Sequence, residues 1–246
     1  MEHPLTAATV RIAGHGGDEI EAYLAEPQEG EPAGGVVVIH HLPGYDEGSL
    51  EITRKLAAHG YVAICPNLYS RDAPELAPAD AAAIVRAKGG VPDERLLGDA
   101  EGAVEFLRSR ESCNGKMAVI GFCSGGRHAF LVACHLRLAA AVDCYGAFVV
   151  NPPPEGIPLK VSPIVDLAGD LSCPLLGLFG AEDKNPSPAE TAALAKALED
   201  HQKTFEFHTF PGAGHAFFAV DRPNYRPEAA TKGWQMIWDF FGRHLA

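Results

Sequence analysis

Cys123 lies in Met117-Ala118-Val119-Ile120-Gly121-Phe122-Cys123-Ser124-Gly125-Gly126, an apolar, β-prone run that breaks into glycines around one thiol. A strand ending in so sharp a turn brings two backbone segments together. Gly121 and Gly125, two residues to either side of the cysteine, leave room that larger side chains would take. Arg127 to Ala133 then read as a helix, whose N-terminus would sit under the sulfur. Orphan N–H groups at a helix start favour thiolate over thiol, so the pattern suits a nucleophile. The competing reading is an ordinary buried cysteine, since free cysteines are among the most buried side chains.

A thiol nucleophile needs a base within hydrogen-bond reach and a carboxylate behind that base. Asp183 stands in Gly180-Ala181-Glu182-Asp183, just past an apolar run, with Glu182 as its adjacent competitor. His215 stands in Phe210-Pro211-Gly212-Ala213-Gly214-His215-Ala216-Phe217, a glycine-rich turn that permits close backbone approach. Alone, Asp183 is also what a turn prefers and His215 is a plain loop histidine. Together, a cysteine, an acid and a histidine in that order, each after a strand, point to acyl transfer, and the order is that of the α/β-hydrolase fold.

The elements that must carry these residues follow from periodicity. Val10, Ile12, Ile20, Ala22 and Leu24 alternate with polar residues around Gly16-Gly17, which predicts an opening hairpin. Residues 36–39, 61–66, 117–122, 139–146 and 175–180 are near-continuous apolar runs, as expected of parallel strands buried on both faces. Between them, 47–60, 97–107 and 187–201 carry apolar residues at helical spacing. Residues 204–208 read as a further strand, and Trp234, Ile237, Trp238, Phe241 and Leu245 form the stripe of a closing helix. Strands alternating with helices predict a three-layer α/β sandwich around a mostly parallel sheet, one domain over residues 1–246. The Pro-, Ala- and Asp-rich stretch 69–93 reads as a variable lid, weakly helical in its middle, and the prolines of 152–163 as a connector.

Composition narrows the function. A formal charge of −12 and no basic stripe argue against a nucleic-acid partner. The start Met1-Glu2-His3-Pro4-Leu5 lacks the basic and apolar segments of a signal peptide, and no run approaches ~20 apolar residues, so the expectation is a soluble cytoplasmic protein without membrane contact. Six cysteines without a C-x-x-C pair are expected to be reduced thiols. Adjacent His40 and His41 at a strand end point opposite ways with no third ligand nearby, so neither metal nor cofactor is expected.

The set of motifs resembles the dienelactone hydrolase family, a cysteine-nucleophile branch of the α/β-hydrolase fold, from about residue 8 to the C-terminus. The resemblance rests on Gly121, Cys123, Gly125 and Gly126, on Cys65-Pro66-Asn67-Leu68-Tyr69, on Tyr145-Gly146, on the Asp183 loop and on Gly212 to Phe217. It implies Cys123, Asp183 and His215 as catalytic triad, the backbone N–H groups of Leu42 and Ser124 as oxyanion hole, and His41, Tyr145, Phe217, Arg71 and Arg86 around the substrate. The implied activity is hydrolysis of small esters or lactones through a thioester, in a monomer or small homo-oligomer. Two positions depart from the family pattern. His41 replaces a glutamate that holds the resting cysteine, and Ala219 replaces an arginine that binds the substrate carboxylate, a role open to Arg71, Arg86, Arg222 or Arg226. A ligand-binding protein without turnover and a redox-responsive thiol protein are the alternative functions.

Overall fold

The computed structural model describes residues 4–246; the first three residues, read above for a leader, lie outside it. The alternating segment forms β1 (Leu5–Ala13) and β2 (Glu19–Pro27), an antiparallel hairpin turning through Gly16 and Gly17, both at positive φ. Then follow β3 (Ala33–Ile39), α1 (Glu47–Ala58), β4 (Val62–Pro66), α2 (Pro78–Lys88) and α3 (Asp93–Arg108). The second half comprises β5 (Cys113–Phe122), α4 (Ser124–His135), β6 (Ala140–Cys144), β7 (Leu175–Gly180), α5 (Pro188–Asp200), β8 (Phe205–Phe210) and α6 (Pro227–Leu245). One eight-stranded sheet results, in the order β1-β2-β4-β3-β5-β6-β7-β8. Its pairs from β4 to β8 are parallel, and β2 joins β4 antiparallel.

Strand periodicity divides the core into two layers. Val37, Ile39, Ile64 and Val119 face the side covered by α2 to α5, whereas Val36, Val38, Ala63 and Ile120 face α1 and α6. Both faces are covered, which is why the middle strands read as unbroken apolar runs. In α6, Ile237, Phe240, Phe241 and Leu245 are all but fully buried. Each contributes about 1.5–3 kcal/mol, so truncating Phe241 would cost about 3–5 kcal/mol.

Local signals set the helix ends. Asp46 caps α1 by accepting the Ser49 N–H at 3.0 Å. Ser187 and Glu190 form a capping box at α5, with Pro188 in the first turn. Several elements are longer than sequence periodicity shows, β3 and α3 among them, and β6 is shorter, ending at Cys144. β5 starts at Cys113, and α4 starts at Ser124 rather than Arg127, because Gly125 and Gly126 are helical here and are small for reasons of packing. In the lid stretch the helix is α2, and residues 152–163 carry no helix or strand. Among the described residues no helix is long and apolar enough to cross a membrane.

Candidate active site

The backbone of Cys123 lies at φ 57°, ψ −122°, between the last residue of β5 and the first of α4. A non-glycine residue at positive φ is strained, and this one is held by its surroundings. Its N–H donates to the carbonyl of Cys144 at 3.0 Å and its own carbonyl accepts from Gly126 at 3.0 Å. A Cβ at Gly121 would collide with the Gly125 carbonyl, and one at Gly125 with the Ile39 carbonyl. The two glycines are therefore what lets strand, turn and helix cross at this point.

Asp183 and His215 come from loops after β7 and β8. The Nδ1 of His215 is 2.9 Å from Oδ2 of Asp183, whose other oxygen accepts the Asn185 N–H at 2.9 Å. The Asp183 side chain is 2% exposed and the His215 ring 31%. Burial works against a charged His215 ring, but hydrogen bonds with Asp183 and Cys123 outweigh it and raise its pKa to about 10. Glu182, the competing acid, is exposed at the cleft rim.

Cys123, Asp183 and His215 share a cleft of ≈ 510 Å³ with Leu42, Phe148 and Arg226. The Leu42 N–H has no acceptor among the described residues, and the Ser124 N–H opens α4, where no intrahelical acceptor exists. Sequence reasoning missed what fixes Leu42. Tyr69 donates its hydroxyl hydrogen to the Leu42 carbonyl at 2.9 Å. His40 is buried, and desolvation lowers its pKa to about 4, so the ring is neutral at pH 7. The Leu68 N–H donates to its Nε2 at 3.2 Å, which leaves Nδ1 to donate to the His41 carbonyl at 3.0 Å. These bonds tie the loop after β3 to the loop after β4.

Asp143 was missed as well. It lies in β6, fully buried, with one carboxylate oxygen accepting the Gly146 N–H at 2.7 Å and the other without a partner. Burial raises its pKa to about 7. It fixes the turn at Tyr145 and Gly146, where Tyr145 sits at φ 46° with its ring edge-on to His215, centroids 5.1 Å apart. An acid within an apolar strand run was the available signal.

Other expected substrate-side residues fall elsewhere. Phe217 is fully buried behind Tyr145, ring centroids 5.2 Å apart. Arg71 does not line the cleft, because buried Asp99 takes its guanidinium in two bonds of 2.8 and 2.9 Å and Asp18 takes a third at 3.0 Å. Arg86 is exposed on α2 and also lies outside the cleft lining. Arg226 does line it, donating to the carbonyls of Gly212, Pro223 and Tyr225. His41 turns to Asp46 at 2.6 Å and, with Ala219, lines a separate cavity of ≈ 140 Å³. Among the described residues no group of His, Cys, Asp or Glu side chains could hold a metal ion.

The fold, with a strained residue on the strand-to-helix turn and loops after later strands converging on it, defines an α/β hydrolase. The sequence profile of the Dienelactone hydrolase family matches residues 20–245, and the chain belongs to that family. It is 37% identical to a Yersinia pestis protein provisionally named carboxymethylenebutenolidase, over 93% of this chain and 85% of that one. A protein of Methylorubrum extorquens with the same provisional name is 34% identical over 98% and 82%. Among solved structures, a protein from Klebsiella pneumoniae provisionally titled dienelactone hydrolase superposes with a TM-score of 0.85 at 31% identity, covering 97% of this chain and 99% of that one. The dienelactone hydrolase-like promiscuous phosphotriesterase P91 shares the fold, with a TM-score of 0.77 at 21% identity over 98% and 99%. The protein is thus a hydrolase of the dienelactone hydrolase type.

Proposed function

We propose that the protein hydrolyses small esters or lactones through a thioester on Cys123, with His215 as base, Asp183 as its orienting acid and the N–H groups of Leu42 and Ser124 as oxyanion donors. The supporting observation is the convergence of Cys123, His215 and Asp183 on one cleft, with a histidine made strongly basic by the other two. His215 takes the Cys123 proton as the sulfur becomes the nucleophile. The sulfur attacks the carbonyl carbon, and the electron pair moves to the carbonyl oxygen, which the two N–H groups receive. On collapse, the C–O bond breaks and the alkoxide leaves with the proton from His215. Water, giving its proton to His215, then attacks the thioester and releases the acid, and the thiol is restored. Leu42 is held for this by Tyr69 and His40, and His215 by Asp183. Lys184 and Arg226 line the cleft, both exposed to solvent and Arg226 with its donors on backbone carbonyls, so neutral esters fit as well as lactone acids.

The test is trapping. An activated aryl ester, quenched in acid within the first turnover, should leave one acyl group on the peptide containing Cys123 and none in Cys123→Ser. Steady release of acid with no acylated Cys123 peptide at any time would overturn the thioester. Stoichiometric binding without turnover would instead indicate a ligand-binding protein.

A further inference from the structure

A compartment of ≈ 30 Å³ adjoins the catalytic cleft. Leu42, Ala147, Phe148 and Leu159 line both spaces and so form the partition between them. Ser124 lines the small compartment, whereas Cys123 and His215 line the cleft. Phe148 is the largest side chain of the partition, and its backbone lies at φ 66°. A bulky residue at positive φ is strained and persists only where the structure around it holds it. The next residue supplies that hold, since the Val149 carbonyl accepts the Ile164 and Val165 N–H groups at 2.8 and 2.9 Å.

The far wall is fastened as well. Leu159 and Val161 come from the connector 152–163, which the Lys160 N–H ties to the Gly89 carbonyl at 2.8 Å. Buried Arg127, held by Asp93 in two bonds of 2.8 and 2.9 Å, donates to the Ser162 carbonyl at 2.8 Å. The Arg127 charge is thus paired, and burial keeps the His40 and His128 rings neutral at pH 7. With Leu68 and Val91 completing the wall, the compartment suits an uncharged, apolar group.

The chemistry of collapse decides which part of an ester goes there. The leaving oxygen takes its proton from His215, so the alcohol part lies on the His215 side, in the ≈ 510 Å³ cleft. The oxyanion points to the N–H groups of Leu42 and Ser124. The remaining bond of the carbonyl carbon carries the acyl substituent, and the space beside Ser124 and behind Phe148 is open to it. A single water needs ~10–15 Å³, so ≈ 30 Å³ holds a substituent of one or two carbons. We propose that this compartment is the acyl pocket, that it takes acetyl- and propionyl-sized groups, and that Phe148 sets the limit. The assignment rests on the thioester mechanism proposed above. In a lactone the acyl and alcohol parts are one ring, so the limit applies to open esters.

The experiment keeps one leaving group and varies the acyl chain, measuring kcat/KM for p-nitrophenyl acetate, butanoate and hexanoate. Wild type should favour acetate over hexanoate by at least ~10-fold. Phe148→Ala, which opens the partition, should lower that preference at least ~10-fold, with Phe148→Leu in between. Leu159→Ala removes another part of the partition and should shift the preference the same way, which keeps the test decisive if Phe148→Ala fails to fold. Among acetates of different alcohols, Phe148→Ala should rank the substrates as wild type does. A wild type that cleaves hexanoate as well as acetate would overturn the proposal, and so would partition variants with the chain-length profile of wild type. Those results would leave the thioester standing, because acyl trapping on Cys123 with acetate alone reads it separately. Absence of the trapped acyl group would instead remove the mechanism and the pocket with it.

Discussion

The Nε2 of His41 lies 2.6 Å from Oδ2 of Asp46, the residue that also caps α1. The ring at the position where the family resemblance implies a thiol-holding glutamate is thus tied to a helix cap. Burial raises the Asp46 pKa, but bonds from His41 and Ser49 outweigh it and lower it from 3.8 to about 2. Its carboxylate therefore binds protons more weakly folded than unfolded. The stability it contributes is complete above ~4 and is lost as pH falls through about 2. Asp46→Asn should be less stable than wild type by about 1–2 kcal/mol at pH 7, with the gap closing toward pH 2. Urea melts at pH 7 and pH 2.5 check this, and an unchanged gap would refute it. The pH profile of Cys123 alkylation should be the same in His41→Gln as in wild type.

Cys123→Ala and His215→Ala should each lower kcat/KM for an activated ester by at least ~10³-fold with unchanged circular dichroism, and the double variant should be no worse than the more severe single one. The His215 ring also leaves a mark on stability. Its pKa is raised from 6.5 to about 10, so the stability it contributes is complete below 6.5 and is lost as pH rises through about 10. Wild type should lose stability relative to His215→Gln over that window. A parallel pair of stability curves from pH 6 to pH 10 would contradict the pairing.

Gly125→Ala separates helix propensity from packing. In an open helix the change would gain about 1 kcal/mol. Here the added methyl meets the Ile39 carbonyl at the end of β3, which is backbone and part of a parallel ladder. A net loss of about 2–4 kcal/mol in denaturant melts is expected, with a fall in kcat because the loop carrying Leu42 starts at that strand end. A stabilised and fully active variant would refute the crossing described.

A free carboxylate on the substrate should matter little. Ala219, four residues after His215, offers no charge and lines the cavity beside His41, while Arg71 is held by Asp99 and Asp18. The ratio of kcat/KM for a lactone acid over its methyl ester should stay below ~100-fold, or about 2.7 kcal/mol. Arg226 bonds backbone carbonyls, so Arg226→Ala should affect the two substrates alike. A larger ratio that vanishes in Arg226→Ala would show that this arginine binds the acid.

Sheet strands were legible because burial on both faces writes itself as unbroken apolar runs such as Val36–Ile39, and helices because α1, α3 and α6 carry one apolar stripe each. The loop residues Cys123, Asp183 and His215 were legible by order, each following a recognisable strand. The bonds that orient them were not. Tyr69 reaches Leu42, and His40 reaches Leu68, between loops with no period to align them. Arg71 and Arg86 were expected at the substrate for the same reason, since the stretch 69–93 gave no register. The partner of Arg71 is Asp99, a polar position on α3 whose burial no spacing rule reveals. Asp143 did leave a signal, as the one acid in a strand otherwise built of Ala, Val and Cys, but periodicity assigns such a strand to the core without asking what its acid bonds.

The strand order has a consequence for the newborn chain. The sheet extends from β5 toward β8 in the order of synthesis, and β8 is its outermost strand on that side. Cys123 is thus synthesised well before His215. Under the proposed mechanism, the centre is armed only when the last strand docks and carries His215 over the finished edge. A chain that has reached only β7 therefore carries Cys123 without His215, and a thiol activated by that histidine reports that β8 has docked.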